Sequence, residues 1–143
     1  MGLPAYQLPE TATRVSPEDY LQLEGAADYK HQYLNGQVVA VAGASFAHNR
    51  ICTSLIINLG SQLRGGNCTP LGSDQRVHIK NRASFLYSDV SVVCGKPAFL
   101  EGKNPDTLLN PTLLIEVLST STADNDRARN SCSTARYLVC NTI

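Results

Sequence analysis

Apolar and polar residues change rhythm several times along the chain, and each change marks an element. In SPEDYLQLE, Tyr20, Leu21 and Leu23 supply an apolar face behind a polar start. Ser16 is placed to cap, Pro17 suits the first helical position and Asp19 completes a Ser-x-x-acid box, so a short helix is predicted from Ser16 to about Glu24. HQYLNGQVVAVAG then sets Asn35-Gly36 between two strand-like runs. That dipeptide tolerates the positive φ angles of a two-residue turn and predicts a β-hairpin. From Ala47 to about Leu63, Ile51, Leu55, Ile56, Leu59 and Leu63 recur at helical spacing, with Arg50, Asn58, Gln62 and Arg64 mostly off the stripe, and Gly65-Gly66 ends the helix.

The second half changes period. QRVHI, FLYSDVSVVCG and TLLIEVLS are short apolar runs bounded by Gly, Pro or Asn, and they predict a sheet. TADNDRARNSCST, residues 122–134, is polar without an apolar stripe, and RYLVCNTI adds one more strand-like run. Residues 1–15 are polar and contain Pro without periodicity, which reads as a loose arm, while residues 16–143 read as one α/β or α+β domain with no internal repeat.

Charge removes some partners. Twelve Lys+Arg balance twelve Asp+Glu, so the protein has no long-range field to gather it on nucleic acid or anionic membrane, and any polyanion partner must be held by local patches. No apolar run approaches the roughly 20 residues of a spanning helix, and the first residues lack the basic and apolar regions of a secretory leader. Five cysteines, Cys52, Cys68, Cys94, Cys132 and Cys140, show no C-x-x-C pair. They predict neither a disulfide framework nor a zinc site, read Cys52 and Cys94 as small core hydrophobes, and suit a reducing cytoplasm.

Two acids interrupt otherwise apolar strands: Asp89 in FLYSDVSVVCG and Glu116 in TLLIEVLS. An ionised carboxylate in a buried strand is costly unless it is paired or binds a cation. If the two strands are neighbours, both carboxylates face one side and suit a hard divalent cation such as Mg²⁺. The competing reading puts each acid at a strand end, meeting solvent or an Arg.

Taken in order, SPEDYLQLE, HQYLNGQVVAVAG, AGASFAHNRI, GSDQRVHI, YSDVSVVCG and DTLLNPTLLIEVLS resemble the Uma-two family of the PD-(D/E)XK nuclease superfamily, abundant in cyanobacteria, over about residues 16–129. The resemblance implies a restriction-endonuclease-like fold, a central mixed sheet flanked by helices, with Asp89 at the acidic position of the PD motif and Glu116 at that of the following strand. It implies DNA phosphodiester hydrolysis assisted by Mg²⁺ or Mn²⁺ on Asp89 and Glu116. Ser88 stands in place of the motif's Pro, and Leu118 rather than Lys follows Glu116 by two. The family's D-R-x-x-K segment reads DRARN, with Asn130 at the Lys position and Arg127 and Arg129 as nearby cations, so Arg127 takes the catalytic charge in this reading. Gln32 and Gln37 stand where the family carries Glu; Gln32 can ligate a cation only through its carbonyl. The C-terminus is shorter than the family pattern, which leaves a sheet edge to be covered and predicts a homodimer. A catalytically inactive remnant that binds DNA or dimerises is the alternative.

His48, in the A-H-N-R string that resembles a frequent family feature, reads either as a donor or proton shuttle near the scissile phosphate or as a residue bonded to backbone where the helix begins. Asp74 reads as a turn residue or a remote acid. Arg76, His78, Lys80 and Arg82 alternate along a strand and share one face, suited to phosphates or merely solvated.

Overall fold

The computed structural model describes residues 14–80, 83–102, 106–118 and 135–139. They form two compact units, the first built from residues up to Gly43, Asp74–Tyr87 and Pro97–Asn110, the second from Ala44–Ser73, Ser88–Lys96 and residues from Pro111 onward. Helices and mixed strands together make an α+β fold consistent with the restriction-endonuclease-like architecture, with the strands drawn into two sheets. Among the described residues no helix is long and apolar enough to cross a membrane. The expected N-terminal arm lies outside them except for Arg14 and Val15.

The first unit holds helix α1 (Pro17–Ala26) and strands β1 (His31–Leu34), β2 (Gln37–Ala40), β4 (Arg76–Ile79), β5 (Ser84–Tyr87) and β7 (Thr107–Leu108). The sheet runs β2-β1-β5-β4-β7, antiparallel except for the parallel β4–β7 pair. Ser16 caps α1 as its sequence predicts, accepting from the Asp19 N–H at 3.1 Å while its hydroxyl donates to the Asp19 carboxylate at 2.8 Å. Asn35 and Gly36 both carry positive φ, 48° and 92°, which is the hairpin geometry the dipeptide predicts.

The core of this unit is aromatic. Tyr20 and Leu21 of α1 pack on Tyr33 of β1 and Phe85 of β5, with the Tyr20 ring 5.2 Å from Tyr33 and 5.4 Å from Phe85. Each tyrosine keeps a partner for its polar tip: Tyr20 donates to the His31 carbonyl at 2.7 Å and Tyr33 to the Val15 carbonyl at 2.9 Å. Burial pushes the Tyr20 hydroxyl up to about 12. Leu23, expected on the apolar face, is instead 58% exposed, and Glu24 takes the buried place one turn on from Tyr20. The Glu24 carboxylate accepts from the His31 N–H and the Tyr87 hydroxyl, both at 2.9 Å, and pairs with His31 Nδ1 at 3.0 Å.

The strand face read as a phosphate track is closed at its first two positions, while Lys80 is exposed and Arg82 lies outside the described residues. Arg76 is fully buried, its Nε donating to Thr107 Oγ1 at 2.7 Å and its guanidinium 5.9 Å from the Tyr20 ring centre. His78 stacks on Phe85 at 4.4 Å, because this face of β4 is turned into the aromatic core. Asp74 is the turn residue of the simpler reading, paired at the surface with Lys30 at 2.9 Å.

The second unit holds helix α2 (Phe46–Gln62) and an antiparallel sheet in the order β3-β6-β8-β9, where β3 is Cys68–Leu71, β6 Val90–Cys94, β8 Leu113–Val117 and β9 Ala135–Val139. The half-buried side of α2, which packs on β3, β6 and β8, runs through His48, Cys52, Leu55, Ile56, Leu59 and Leu63, while Ile51 is turned out. The inward stripe therefore starts with two polarisable side chains that hydrophobic periodicity passes over.

The cysteine expectation needs correction: Cys68 and Cys94 form a disulfide. Strand pairing sets the two residues opposite one another, and the adjacent Gly95 N–H to Asn67 carbonyl bond makes theirs a non-hydrogen-bonded pair, where side chains stand closest. Spacing alone does not reveal cross-strand partners, and the argument for a reducing compartment loses its premise.

Two substitutions test this account by chemical denaturation. Ser16→Ala is expected to lower stability by about 1 kcal/mol through loss of the cap. Gly36→Ala is expected to cost about 1 kcal/mol or more, since it forces a side chain into positive φ and sets a Cβ 3.3 Å from Arg14 Cγ.

Candidate active site

The run FLYSDVSVVCG does not form one strand. β5 ends at Tyr87, β6 begins at Val90, and Ser88 and Asp89 lie between. Leaving the ladder gives the Asp89 carboxylate partners that a strand interior withholds, and its side chain is 19% exposed. Ser88 is buried and donates to the Ile115 carbonyl at 3.0 Å, fastening the break to β8. Asp89 Oδ2 then accepts the Val117 N–H at 2.7 Å.

Register brings the two acids together. Val90 is paired with Ile115 at the end of the β6–β8 ladder, and just past that pair the Asp89 and Glu116 carboxyls come within reach of one another's charge. Burial pushes the half-buried Glu116 carboxyl above its usual range; the Ser88 hydroxyl opposes that rise, and the neighbouring Asp89 charge adds to it. The strands that flank the two acids, β6 and β8, are neighbours in the sheet.

His48 joins them from the first turn of α2. Ser45 caps the helix, accepting the His48 N–H at 3.2 Å, and this fixes the side chain over the sheet. His48 Nε2 lies 3.2 Å from Asp89 Oδ2 and 3.1 Å from the Val117 carbonyl. Both are acceptors, so Nε2 carries the hydrogen and, in the neutral ring, Nδ1 presents its lone pair on the other side. There it faces Cys52 Sγ at 3.6 Å. Burial, followed by the Asp89 charge, pushes the Cys52 thiol up. His48 thus contacts backbone, as one reading of its place at the helix start expects, and also the Asp89 carboxylate.

The remaining candidates belong to the first unit or lie outside the described residues. Gln32 is on β1 in the first unit, paired with Val39, and Gln37 opens β2 there. Arg127, Arg129 and Asn130 lie outside the described residues, as does Arg82. Cys52 was not anticipated as a site residue; its signal was the i, i+4 spacing from His48 that extends the Leu55, Ile56, Leu59 stripe. A groove of about 580 Å³ along α2, lined by Ala47, Arg50, Ile51, Ser54, Leu55 and Asn58, holds no carboxylate and is separate from the acidic cluster.

The raised Glu116 carboxyl sets a pH dependence. A carboxyl raised on folding binds its proton more tightly in the native state, so its contribution is greatest below the ordinary glutamate range and is lost as pH rises through the native value. Without added metal, Glu116→Gln should melt a few degrees above the unaltered protein at about pH 7, and the gap should close below about pH 4. Thermal melts across that range decide it; a gap of the same size at both ends would refute the electrostatic cause.

The chain is 37% identical over 114 residues to the uncharacterised protein slr1290 of Synechocystis sp. (strain ATCC 27184 / PCC 6803 / Kazusa), covering 80% of this chain and 58% of that protein. To sll1609, an uncharacterised protein of the same strain, it is 33% identical over 117 residues, covering 82% of this chain and 66% of the other. The chain thus spans somewhat under two thirds of the length of these relatives, and no solved structure matches. A family model named Uma2 and described as "Putative restriction endonuclease" matches residues 17–138, and the chain belongs to that family.

Proposed function

We propose that this protein is a divalent-cation-dependent endonuclease acting on DNA, with Asp89 and Glu116 as its cation-holding pair. One observation carries the reading: just past the Val90–Ile115 pair the Asp89 and Glu116 carboxyls interact with one another, in a chain of a nuclease family. The donor set fits a hard cation. Burial and the neighbouring Asp89 charge raise the Glu116 carboxyl, and Mg²⁺ or Mn²⁺, with both carboxylates as its oxygen ligands, would relieve that repulsion.

When bound, such a cation polarises the scissile phosphate and lowers the pKa of an attacking water. The chain's own residues orient the site. The Val117 N–H and His48 Nε2–H hold Asp89 Oδ2 in place, and Ser88 fixes the backbone turn that presents it. His48 is in this reading a positioning residue. Leu118 leaves no ammonium two residues after Glu116, and Lys96 is the only lysine among the described residues of this unit. The charge that offsets the developing phosphorane falls to Arg127, which holds a cation at all working pH but cannot shuttle a proton.

The same observation about Leu118 favours a second reading, a nuclease fold that binds DNA without cutting it. Plasmid cleavage by the full chain with Mg²⁺ or Mn²⁺ separates the two. The first reading expects nicked and linear products, abolished by a chelator and reduced roughly a hundredfold in Glu116→Gln and in Asp89→Asn, which still accepts the Val117 N–H. Retarded but uncut DNA with both cations would overturn it in favour of the binding reading.

A further inference from the structure

The second unit carries another donor set that shares a single residue with the acidic pair. His48 and Cys52 are one turn apart on the same face of α2, and Asp89 meets them from the segment before β6. One donor atom from each, an imidazole nitrogen, a thiol sulfur and a carboxylate oxygen, lies within 4.8 Å of the other two.

We propose that His48, Cys52 and Asp89 form a binding site for a thiophilic divalent cation of the Zn²⁺ class. His48 stands between the other two donors, its Nε2 3.2 Å from Asp89 Oδ2 and its Nδ1 3.6 Å from Cys52 Sγ, so the ligating nitrogen is Nε2, on the carboxylate's side, with the ring hydrogen moved to Nδ1. The Nε2–Oδ2 separation is already close to the edge of a tetrahedral shell with bonds of about 2.0–2.3 Å, and the sulfur, within 4.8 Å of the other donors, has to close by about an ångström. Three mixed N, S and O ligands with one place left for water is a pattern Zn²⁺ accepts. A thiolate selects it over Mg²⁺ and Ca²⁺, which take oxygen ligands. The Val117 N–H on Asp89 is an outer hydrogen bond that orients this ligand. Cys68 and Cys94, being joined to each other, cannot compete for the metal. Because Asp89 belongs to both sets, the soft and the hard cation exclude one another. That exclusion rests on the nuclease reading; the site itself does not.

Two measurements on the full chain test the site without using cleavage. The first follows alkylation of Cys52 in the unaltered protein by iodoacetamide, read by mass spectrometry of its peptide. Zn²⁺ should slow the reaction about tenfold or more, a chelator should restore it, and Mg²⁺ at the same concentration should change it less than about twofold. An unchanged rate with Zn²⁺, or equal protection by Mg²⁺, overturns the proposal. The second titrates Co²⁺ and reads the thiolate-to-cobalt charge-transfer band. It should appear in the unaltered chain and in a Cys132→Ser, Cys140→Ser double variant, and vanish in Cys52→Ser. A band that survives Cys52→Ser places the sulfur elsewhere and refutes the assignment.

Discussion

One carboxylate ties the second unit together. Asp89 Oδ2 receives the last N–H of β8 and lies against the imidazole that α2 carries in its first turn. Sheet and helix therefore meet at this partly buried oxygen, beside the contact of His48 Nε2 with the Val117 carbonyl. A hydrogen bond to an ionised acceptor contributes more than a neutral one, and removing that acceptor leaves a buried donor unmet. The geometry that concentrates this dependence on Asp89 is the break in the ladder at Ser88–Asp89. A continuous strand would have aimed the carboxylate across the sheet without a backbone donor to meet it.

The first unit solves a similar problem differently. Glu24 is also a buried acid, yet it is surrounded by donors: the His31 backbone, the His31 ring and the Tyr87 hydroxyl. Such an acid is saturated and has little left to offer a ligand. Glu116 has instead a rival carboxylate as its neighbour, and burial raises it rather than satisfying it. The contrast between a carboxylate ringed by donors and one that faces a second carboxylate separates a structural acid from a candidate for chemistry.

Local chemistry made much of the fold readable. The Ser16 cap, the Asn35-Gly36 turn and the long helix ending before Gly65 were legible because each depends on residues within a few positions of one another. The acids Asp89 and Glu116 were legible as violations of an apolar pattern. What the sequence could not show was set by partners distant in the chain. Arg76 looked like a surface cation until β7 and Tyr20 enclosed it. Cys68 and Cys94 looked unpaired because their meeting depends on the register of β3 with β6. Cys52 looked like core filler because its neighbour Asp89 lies 37 positions on, at the far side of a strand break.

The disulfide between β3 and β6 has a topological consequence. The chain leaves the second unit after Ser73 and returns at Ser88, having given β4 and β5 to the first unit, and the 26-residue span between the bonded cysteines contains that whole excursion. Closing a loop of this length restricts the unfolded chain by about 3 kcal/mol on the entropic account. It also makes the excursion a closed ring. A protease that cut once between β4 and β5 would not release a fragment, because both cut ends would still be held through sulfur.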